Sequence, residues 1–476
     1  MPEQSGRFLD RMFHPESIAI IGASSTNIED GWVRRLQVAG YKGKIFPINP
    51  TAQEISGVKV YPSILDVPGP VEYAIFAIPA RVALRVMGDC VTKGVKFVHC
   101  YAAGFEETGL PEASEAQRQL VGLARQGGIR MLGPNCMGIY NPSSGMSFNV
   151  DFPTEKGPVA FVSQSGAESM RLVFLLQDVN LHFSKVVSYG NAADIDAPEL
   201  FEYLAQDDET RVVACYVEGV KDGPRFVQAV RQCMLNKPVV MLKAGLSESG
   251  ATAAASHTAS LAGSRAIWDA FFRQTGAIQA NTMDDVADSL QALVRLKPAA
   301  GRRVALVGRG GGIGVVAADI CDRAGLKVPH FHPTTVEKLA SIIPEAGAGI
   351  RNPVETTAGL GGAVDFYHRG LPIVDADPNT DVILVQTAVD VYGGHREDMP
   401  RKVTDTTDAL LDVIDSLKKP VAVAFFSGGH PDTVIAVTAA RDRLTKRGVP
   451  VYPGVESASR AISKLIAYHE NARKQA

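Results

Sequence analysis

A single imidazole lies within a long stretch of small residues, KAGLSESGATAAASHTASLAG, which occupies residues 243–263 and carries His257. The stretch follows an apolar run at residues 238–242 that predicts a buried strand. Small side chains bury little apolar area, so we expect the stretch to add little to a core. Long loops in compact domains are typically functional or mobile. We therefore predict a mobile loop that moves His257 between two places.

Three further groups that could bind a ligand or support the imidazole follow predicted strands of the same region. They are the turn Ser165-Gly166-Ala167 after residues 158–162, the pair Gly190-Asn191 after residues 185–188, and Glu218 after residues 212–217. In open α/β sheets, ligands bind beyond the carboxyl ends of the strands, so we expect these groups and His257 to converge.

This convergence favours phosphoryl transfer, because a neutral imidazole is a nucleophile that can carry a phosphoryl group. Backbone N–H groups at the Ser165 turn would hold the phosphate at a helix start. Glu218 would accept a hydrogen bond from the second ring nitrogen. The alternative is a loop histidine that is bonded only to backbone, which is the commoner case for an isolated histidine.

Two other reaction classes have weaker support. No second His or Cys lies at metal-ligand spacing from His257, and we predict no metal site. The chain also lacks the G-x-S-x-G pattern of a serine hydrolase and the G-x-x-x-x-G-K-[ST] loop that binds ATP.

The elements that must position these groups repeat along the chain. β-branched runs that end in a Gly/Ser turn begin at residues 17, 159 and 304. This spacing, about 140 residues, is a common domain size. We predict an α/β protein with three successive doubly wound domains and mainly parallel sheets, at residues 1–150, 151–298 and 299–476.

Nicotinamide binding is a rival hypothesis. In the first domain G-x-G-x-x-G is absent after Gly22, and Asn49-Pro50 occupies the place where NAD enzymes carry an acid. In the third domain residues 308–314, GRGGGIG, are similar to a dinucleotide loop. An NAD(P)-dependent oxidoreductase therefore stays an alternative.

Composition excludes several further classes of protein. The net charge of −3 over 476 residues gives no nucleic-acid footprint. Six scattered cysteines predict reduced thiols, and neither the N-terminus nor any internal run is apolar enough for a signal peptide or a membrane span. We expect a soluble, cytoplasmic protein without a nucleic-acid or membrane partner.

Several motifs together resemble the ADP-forming acyl-CoA synthetases, relatives of the succinyl-CoA synthetase α subunit. The matching stretches are IGAS at 21–24, AGFEETG at 103–109, GPNCMG at 133–138, SQSG at 163–166, SYGNAAD at 188–194, VEG at 217–219, KPVVMLKAG at 237–245 and SHTASLAG at 256–263. They cover nearly the whole chain.

The resemblance implies a Rossmann-like CoA-binding domain, a succinyl-CoA-synthetase-like flavodoxin domain and a second flavodoxin-like ligase domain. His257 would carry the phosphoryl group, Glu218 would support it, and Ser165, Gly166 and Ala167 would hold the phosphate. Gly190 and Asn191 would contact the substrate, a small carboxylic acid. The implied CoA-site residues are Gly22, Ser24, Ser25, Asn49, Pro50, Ile78, Pro79, Ala102, Ala103 and Asn135.

The family's ATP-grasp domains are either fused to such a chain or carried on a β subunit. The resemblance thus implies an ATP-grasp β partner that binds ATP/ADP and Mg²⁺, in a hetero-oligomer for which α2β2 is one form. Two residues depart from the family pattern: Glu168 follows the phosphate turn, and Glu355 replaces an aspartate. A non-catalytic protein that senses CoA or a nucleotide is the second alternative.

Overall fold

The protein is described from a computed structural model. The structure describes residues 2–27, 29–252, 263–308, 311–343, 349–355, 363–388, 398–426 and 429–475. His257 lies outside these ranges.

The strands are short and mostly buried on both faces, as expected for parallel sheets that are covered by helices. They are β1 Ser17–Ile21, β2 Lys44–Ile48, β3 Glu54–Ile55, β4 Val58–Lys59, β5 Tyr73–Phe76, β6 Phe97–Cys100, β7 Arg130–Leu132, β8 Gly138–Tyr140, β9 Val159–Ser163, β10 Phe183–Ser188, β11 Val212–Val217, β12 Val239–Lys243, β13 Ile278–Ala280, β14 Val304–Gly308, β15 Val354–Glu355, β16 Val382–Ala388, β17 Val421–Phe426 and β18 Val451–Tyr452.

The helices connect successive strands. They are α1 Pro2–Phe13, α2 Trp32–Val38, α3 Ala80–Lys93, α4 Pro111–Gln126, α5 Gly166–Gln177, α6 Ala197–Leu204, α7 Gly223–Met234, α8 Arg265–Thr275, α9 Met283–Arg295, α10 Gly311–Arg323, α11 Pro333–Ala340, α12 Ala363–Arg369, α13 Leu371–Asp375, α14 Met399–Ile414, α15 Pro431–Lys446 and α16 Val455–Gln475. Short 3-10 helices occupy Ile64–Asp66 and Glu106–Thr108.

The strands form three large sheets. The strand order is β2-β1-β5-β6-β7 in the first sheet, β13-β12-β11-β9-β10-β8 in the second and β15-β14-β16-β17-β18 in the third. All pairs are parallel except β8 with β10, and β3 with β4 form a separate antiparallel hairpin. The predicted α/β class with mainly parallel sheets is confirmed.

Two compact units contain these sheets. One unit holds residues 1–177 and 181–286, with the first and second sheets, and the other holds residues 178–180 and 287–476, with the third. In the first unit, side chains of both sheets, such as Ile20 and Val213, belong to one apolar cluster. The three domain boundaries given above stay a prediction.

The four strands predicted above around the candidate site agree with the observed β9, β10, β11 and β12 to within two residues. The strand at residues 212–217 has the predicted bounds, because a continuous apolar run ends there at a turn. No strand is predicted around Glu355, yet Val354–Glu355 forms β15 and pairs with β14. Among the described helices, none combines the length and the apolar character that a membrane span requires.

Candidate active site

The carboxyl ends of β1 and β2 are joined at Gly22. The backbone N–H groups of Gly22 and Ala23 donate to the Ile48 carbonyl, at 3.0 and 3.1 Å. Gly22 has φ +85°, and a Cβ there would overlap the Ala77 carbonyl oxygen. Glycine is therefore required for the close approach of β1 to β5, independently of any ligand.

Asn49 and Ser24 shape the turns that follow these strands. The Asn49 amide donates to the Ala23 carbonyl at 2.9 Å, and its Oδ1 accepts from Thr51 N and Ala52 N. Ser24 Oγ accepts from Asn27 N at 2.9 Å. Both side chains thus hold backbone in place at the edge where CoA is predicted to bind.

The other predicted CoA residues lie along the same edge of the first sheet. Ser25 follows β1, Pro50 follows β2, Ile78 and Pro79 lie between β5 and α3, Ala102 and Ala103 follow β6, and Asn135 follows β7. The first N–H groups of α3 have no intrahelical acceptor and are suited to a phosphate. Ser25, Pro50, Pro79 and Ala103 are exposed at this edge, so the residues present are accessible to CoA.

The loop after β7 joins the edges of the first and second sheets. Asn135 N donates to the Ala102 carbonyl at 2.9 Å, and Asn191 N donates to the Pro134 carbonyl at 3.0 Å. Gly190, with φ +55°, lies so close that a Cβ there would overlap the carbonyl oxygen of Asn135. The structure thereby brings the predicted CoA edge and the predicted substrate pair together.

The side chain of Asn191 is fully engaged by protein groups. Its Nδ2 donates to Glu107 Oε2 at 2.5 Å and to Gln117 Oε1 at 3.0 Å, and its Oδ1 accepts from Asn135 Nδ2 at 3.4 Å. These bonds support a role in joining the two sheet edges. Substrate contact by Gly190 and Asn191 stays a prediction.

The phosphate turn lies between β9 and α5. Ser165 Oγ accepts from Glu168 N at 3.3 Å and so caps the helix start. The N–H groups of Gly166 and Ala167 belong to the first turn of α5, where no intrahelical acceptor exists. A Cβ at Gly166 would lie 2.5 Å from Met137 Cγ, so this turn packs against the loop that follows β7.

Glu218 follows β11 and lies next to the phosphate turn. It is 4% exposed. Gln164, the residue before Ser165, accepts at Oε1 from Glu218 N at 2.5 Å and from Gly219 N at 3.0 Å. One amide therefore connects the predicted phosphate site with the predicted supporting carboxylate.

One described end of the segment that carries His257 lies beside Glu218, and the other packs against Trp268. At one end, Ala244 N donates to the Val217 carbonyl at 3.0 Å, one residue before Glu218. At the other end, a Cβ on Gly263 would lie 3.2 Å from the indole nitrogen of Trp268. The Lys243 ammonium lies 5.1 Å from the centre of the same Trp268 ring system. The predicted phosphoryl carrier at His257 itself lies outside the described residues.

Burial changes the pKa of two groups at these edges. It lowers the pKa of Lys243 to about 8, an effect that nearby Glu218 partly opposes. It also lowers the pKa of His99, at the end of β6, to about 4, so this imidazole is neutral near pH 7. His99 Nε2 lies 3.1 Å from the Cys136 carbonyl, which makes it part of the packing.

The two residues that depart from the family pattern have local partners. Glu168 lies in the first turn of α5, with Oε1 3.8 Å from Arg171 Nη1, and this pair reduces the repulsion expected beside a phosphate. In the other unit, a Cβ on Gly311 would lie 2.8 Å from Glu355 Oε1. The glycine at the start of α10 thus allows close packing against Glu355, which accounts for it without a dinucleotide.

Three side chains that support Glu218 were missed from the sequence: Gln164, Tyr216 and Lys243. A signal existed for Tyr216, because residues two apart on a strand project from the same face, and Tyr216 and Glu218 have this spacing. No local signal marks Gln164 or Lys243. Among the described residues, no group of three His, Cys, Asp or Glu side chains is placed to hold a metal ion.

Comparison with known proteins identifies the family. The family described as "CoA binding domain" matches residues 16–142, and the "Succinyl-CoA ligase like flavodoxin domain" family matches residues 156–293. The α subunit of the ADP-forming acetate–CoA ligase II of Pyrococcus furiosus is 37% identical over 97% of this chain and 98% of its own length. This chain belongs to the ADP-forming acyl-CoA ligase family.

Two further ligases of this family match along the whole chain. The ADP-forming acetate–CoA ligase I of Archaeoglobus fulgidus is 35% identical over 98% of this chain, which spans 64% of that protein. The acetyl-CoA synthetase 1 of Candidatus Korarchaeum cryptofilum, solved with phosphate and ADP, superposes with a TM-score of 0.85. It is 33% identical and covers 98% of this chain and 97% of its own. Membership of the ligase family leaves no support for the nicotinamide hypothesis.

Proposed function

We propose that this chain is the CoA-binding, phosphohistidine-carrying subunit of an ADP-forming acyl-CoA ligase. The overall reaction is acid + CoA + ATP ⇌ acyl-CoA + ADP + phosphate. The observation that carries the proposal is the Gln164 amide, which joins the Ser165–Gly166 turn to the backbone of Glu218. A helix start suited to phosphate and a buried carboxylate therefore lie side by side, at the position where the His257 segment begins.

The roles of the chain's own residues follow from this arrangement. The N–H groups of Gly166 and Ala167 bind the phosphate oxygens, and the positive end of α5 favours their charge. Glu218 accepts a hydrogen bond from the second nitrogen of His257, which fixes the tautomer and aims the other nitrogen at phosphorus. An oxygen of the acid then displaces the imidazole, so one P–O bond forms as the N–P bond breaks.

CoA supplies the thiol that converts the acyl phosphate to a thioester and releases phosphate. The edge of the first sheet, from Gly22 to Asn135, is the proposed site for CoA. Because Asn135 and Asn191 join this edge to the second sheet, bound CoA would lie beside the phosphate turn. The proposed acid is a small carboxylate, and a panel of acetate, branched, aromatic and sulfur-containing acids would identify it.

The test uses the reverse half-reaction, which needs no nucleotide. With ³²P-phosphate and the CoA thioester of each acid in that panel in turn, the full chain should acquire acid-labile, base-stable label from at least one thioester and release the corresponding acid and CoA. His257→Asn should abolish the label. His14→Asn is the matched control, because the His14 side chain is 38% exposed and lies before β1. Unchanged labelling in His257→Asn would contradict the carrier role, and CoA binding without any labelling would favour the sensor alternative.

A further inference from the structure

The backbone N–H, the backbone carbonyl and the carboxylate Oε1 of Glu218 each bond to a different part of the second domain. Its N–H donates to Gln164 Oε1 at 2.5 Å, its carbonyl accepts from Lys243 Nζ at 2.7 Å, and its carboxylate Oε1 accepts from the Tyr216 hydroxyl at 3.0 Å. The three partners come from the β9–α5 turn, the end of β12 and β11. A surface carboxylate would not require such support.

Tyr216 determines the direction of the carboxylate. Tyr216 and Glu218 lie on the same face of the chain at the end of β11, two residues apart. Burial, and the nearby carboxylates of Glu218 and Glu168, raise the pKa of the Tyr216 phenol. The phenol therefore keeps its proton and acts as the donor, while the carboxylate accepts.

Gln164 determines how far Glu218 lies from the phosphate turn. Its backbone N–H donates to the Tyr216 carbonyl at 3.2 Å, while its side chain accepts from Glu218 N and Gly219 N. Ser165 and Gly166 follow directly. Loss of the side-chain acceptor at Gln164 thus alters the spacing between the helix start and the carboxylate.

Lys243 holds the remaining backbone group. Its ammonium donates to the carbonyls of Glu218 and Ala244 and lies over the Trp268 ring at 5.1 Å. The residue is 4% exposed. This contact ties the end of β11 to the end of β12, where the His257 segment begins.

We propose that Tyr216, Gln164 and Lys243 are positioning residues, which hold Glu218 at the orientation and distance that the phosphoryl transfer requires. This inference rests on the proposed function. Since these residues act on Glu218 and do not touch CoA in this arrangement, their loss should slow phosphorylation while CoA affinity is kept.

The test compares Tyr216→Phe, Gln164→Ala and Gln164→Glu in the full chain, with Glu218→Gln as the reference. Single-turnover labelling by ³²P-phosphate, at a saturating concentration of the thioester that labels the wild-type chain, should slow at least about tenfold in Tyr216→Phe and Gln164→Ala, since a hydrogen bond to a charged group or its orientation is lost. Gln164→Glu keeps a side-chain acceptor and should recover most of the rate. CoA affinity by calorimetry should change less than about twofold, because neither side chain contacts CoA in this arrangement.

Tyr203→Phe is the matched control. Its hydroxyl also donates to a carboxylate at 3.0 Å, that of Asp10, in the same unit but outside the site. The Tyr203→Phe chain should incorporate ³²P-phosphate at the wild-type rate.

Wild-type labelling rates in Tyr216→Phe and Gln164→Ala, together with loss of labelling in Glu218→Gln, would overturn the positioning role and leave the proposed function intact. A wild-type chain that takes up no label with any thioester of the panel would overturn the proposed function itself. If Gln164→Ala fails to fold, Tyr216→Phe, which removes one oxygen, decides the outcome.

Discussion

At the residue scale, Gly190 shows how one glycine allows the edges of the first two sheets to pack closely together. Its φ of +55° lies in the left-handed region, and the carbonyl oxygens of Pro134 and Asn135 occupy the space that a Cβ would need. Backbone conformation and packing thus both favour glycine at position 190. At Gly40, which has φ +80° and open space around it, only the backbone conformation favours glycine.

We therefore expect Gly190→Ala and Gly40→Ala to differ in cost. Gly40→Ala should lower the free energy of unfolding by about 1 kcal/mol, the cost of a left-handed alanine. Gly190→Ala should cost about 3 kcal/mol or more, because overlap with the Asn135 loop is added. Urea unfolding measures the free energy of unfolding of both variants. Equal decreases would show that the loop after β7 moves away from residue 190 without cost.

At the element scale, an ionic cluster connects β7 of the first sheet with α6 beside the second. Arg130 donates to both carboxylate oxygens of Glu199 at 2.8 Å and to Asp194 Oδ2 at 2.9 Å. The side chains of Asp194 and Glu199 are 2% and 9% exposed. These hydrogen bonds raise the pKa of Arg130 further above its usual range, so the guanidinium stays protonated at any working pH.

Arg130→Met should consequently be strongly destabilising. It leaves Glu199 buried without its guanidinium, and the loss of one partner of a buried pair costs about 3–5 kcal/mol. Arg118→Met, which breaks a pair with Glu115 whose side chains are 67% and 50% exposed, should cost less than about 1 kcal/mol. The two variants are compared by chemical denaturation. If both variants lose a similarly small free energy of unfolding, water or Arg125 replaces Arg130 beside the carboxylates.

At the scale of the whole molecule, the chain aligns with nearly the full length of an α subunit of the family. It covers 98% of the P. furiosus α subunit but only 64% of the single-chain ligase of A. fulgidus. Because two relatives that match along their whole length are named as α subunits, we propose that ATP and Mg²⁺ binding belong to a separate ATP-grasp β chain. An α2β2 assembly is the form to be tested.

This proposal predicts different requirements for the two half-reactions. The isolated chain should incorporate phosphate from acetyl-CoA plus phosphate, yet form neither labelled protein from γ-³²P-ATP nor acyl-CoA from acid, CoA and ATP. Adding an ATP-grasp β chain with Mg²⁺ should restore both. The phosphate-dependent label serves as the internal control for a folded, active chain. Acyl-CoA synthesis from ATP by the isolated chain would contradict the need for a partner.

Local signals explain how much of the fold could be predicted. A strand such as β11 is a continuous apolar run that ends at a turn, and both features are present within a few residues. β15 was missed, because a strand of two residues leaves no periodic pattern. His257 was singled out by its isolation among small residues, and its role stays a prediction because it lies outside the described residues.

The sequence by itself determined the parallel α/β class, the strand ends at which the predicted site residues lie, and the family, since short motifs and apolar runs are read locally. Only the tertiary structure decided what holds Glu218 in place. Gln164 is 54 residues from it along the chain, and the two meet because β9 and β11 are neighbours in the second sheet. Strand order depends on how whole elements pack, so contacts of this kind are invisible in any window of sequence.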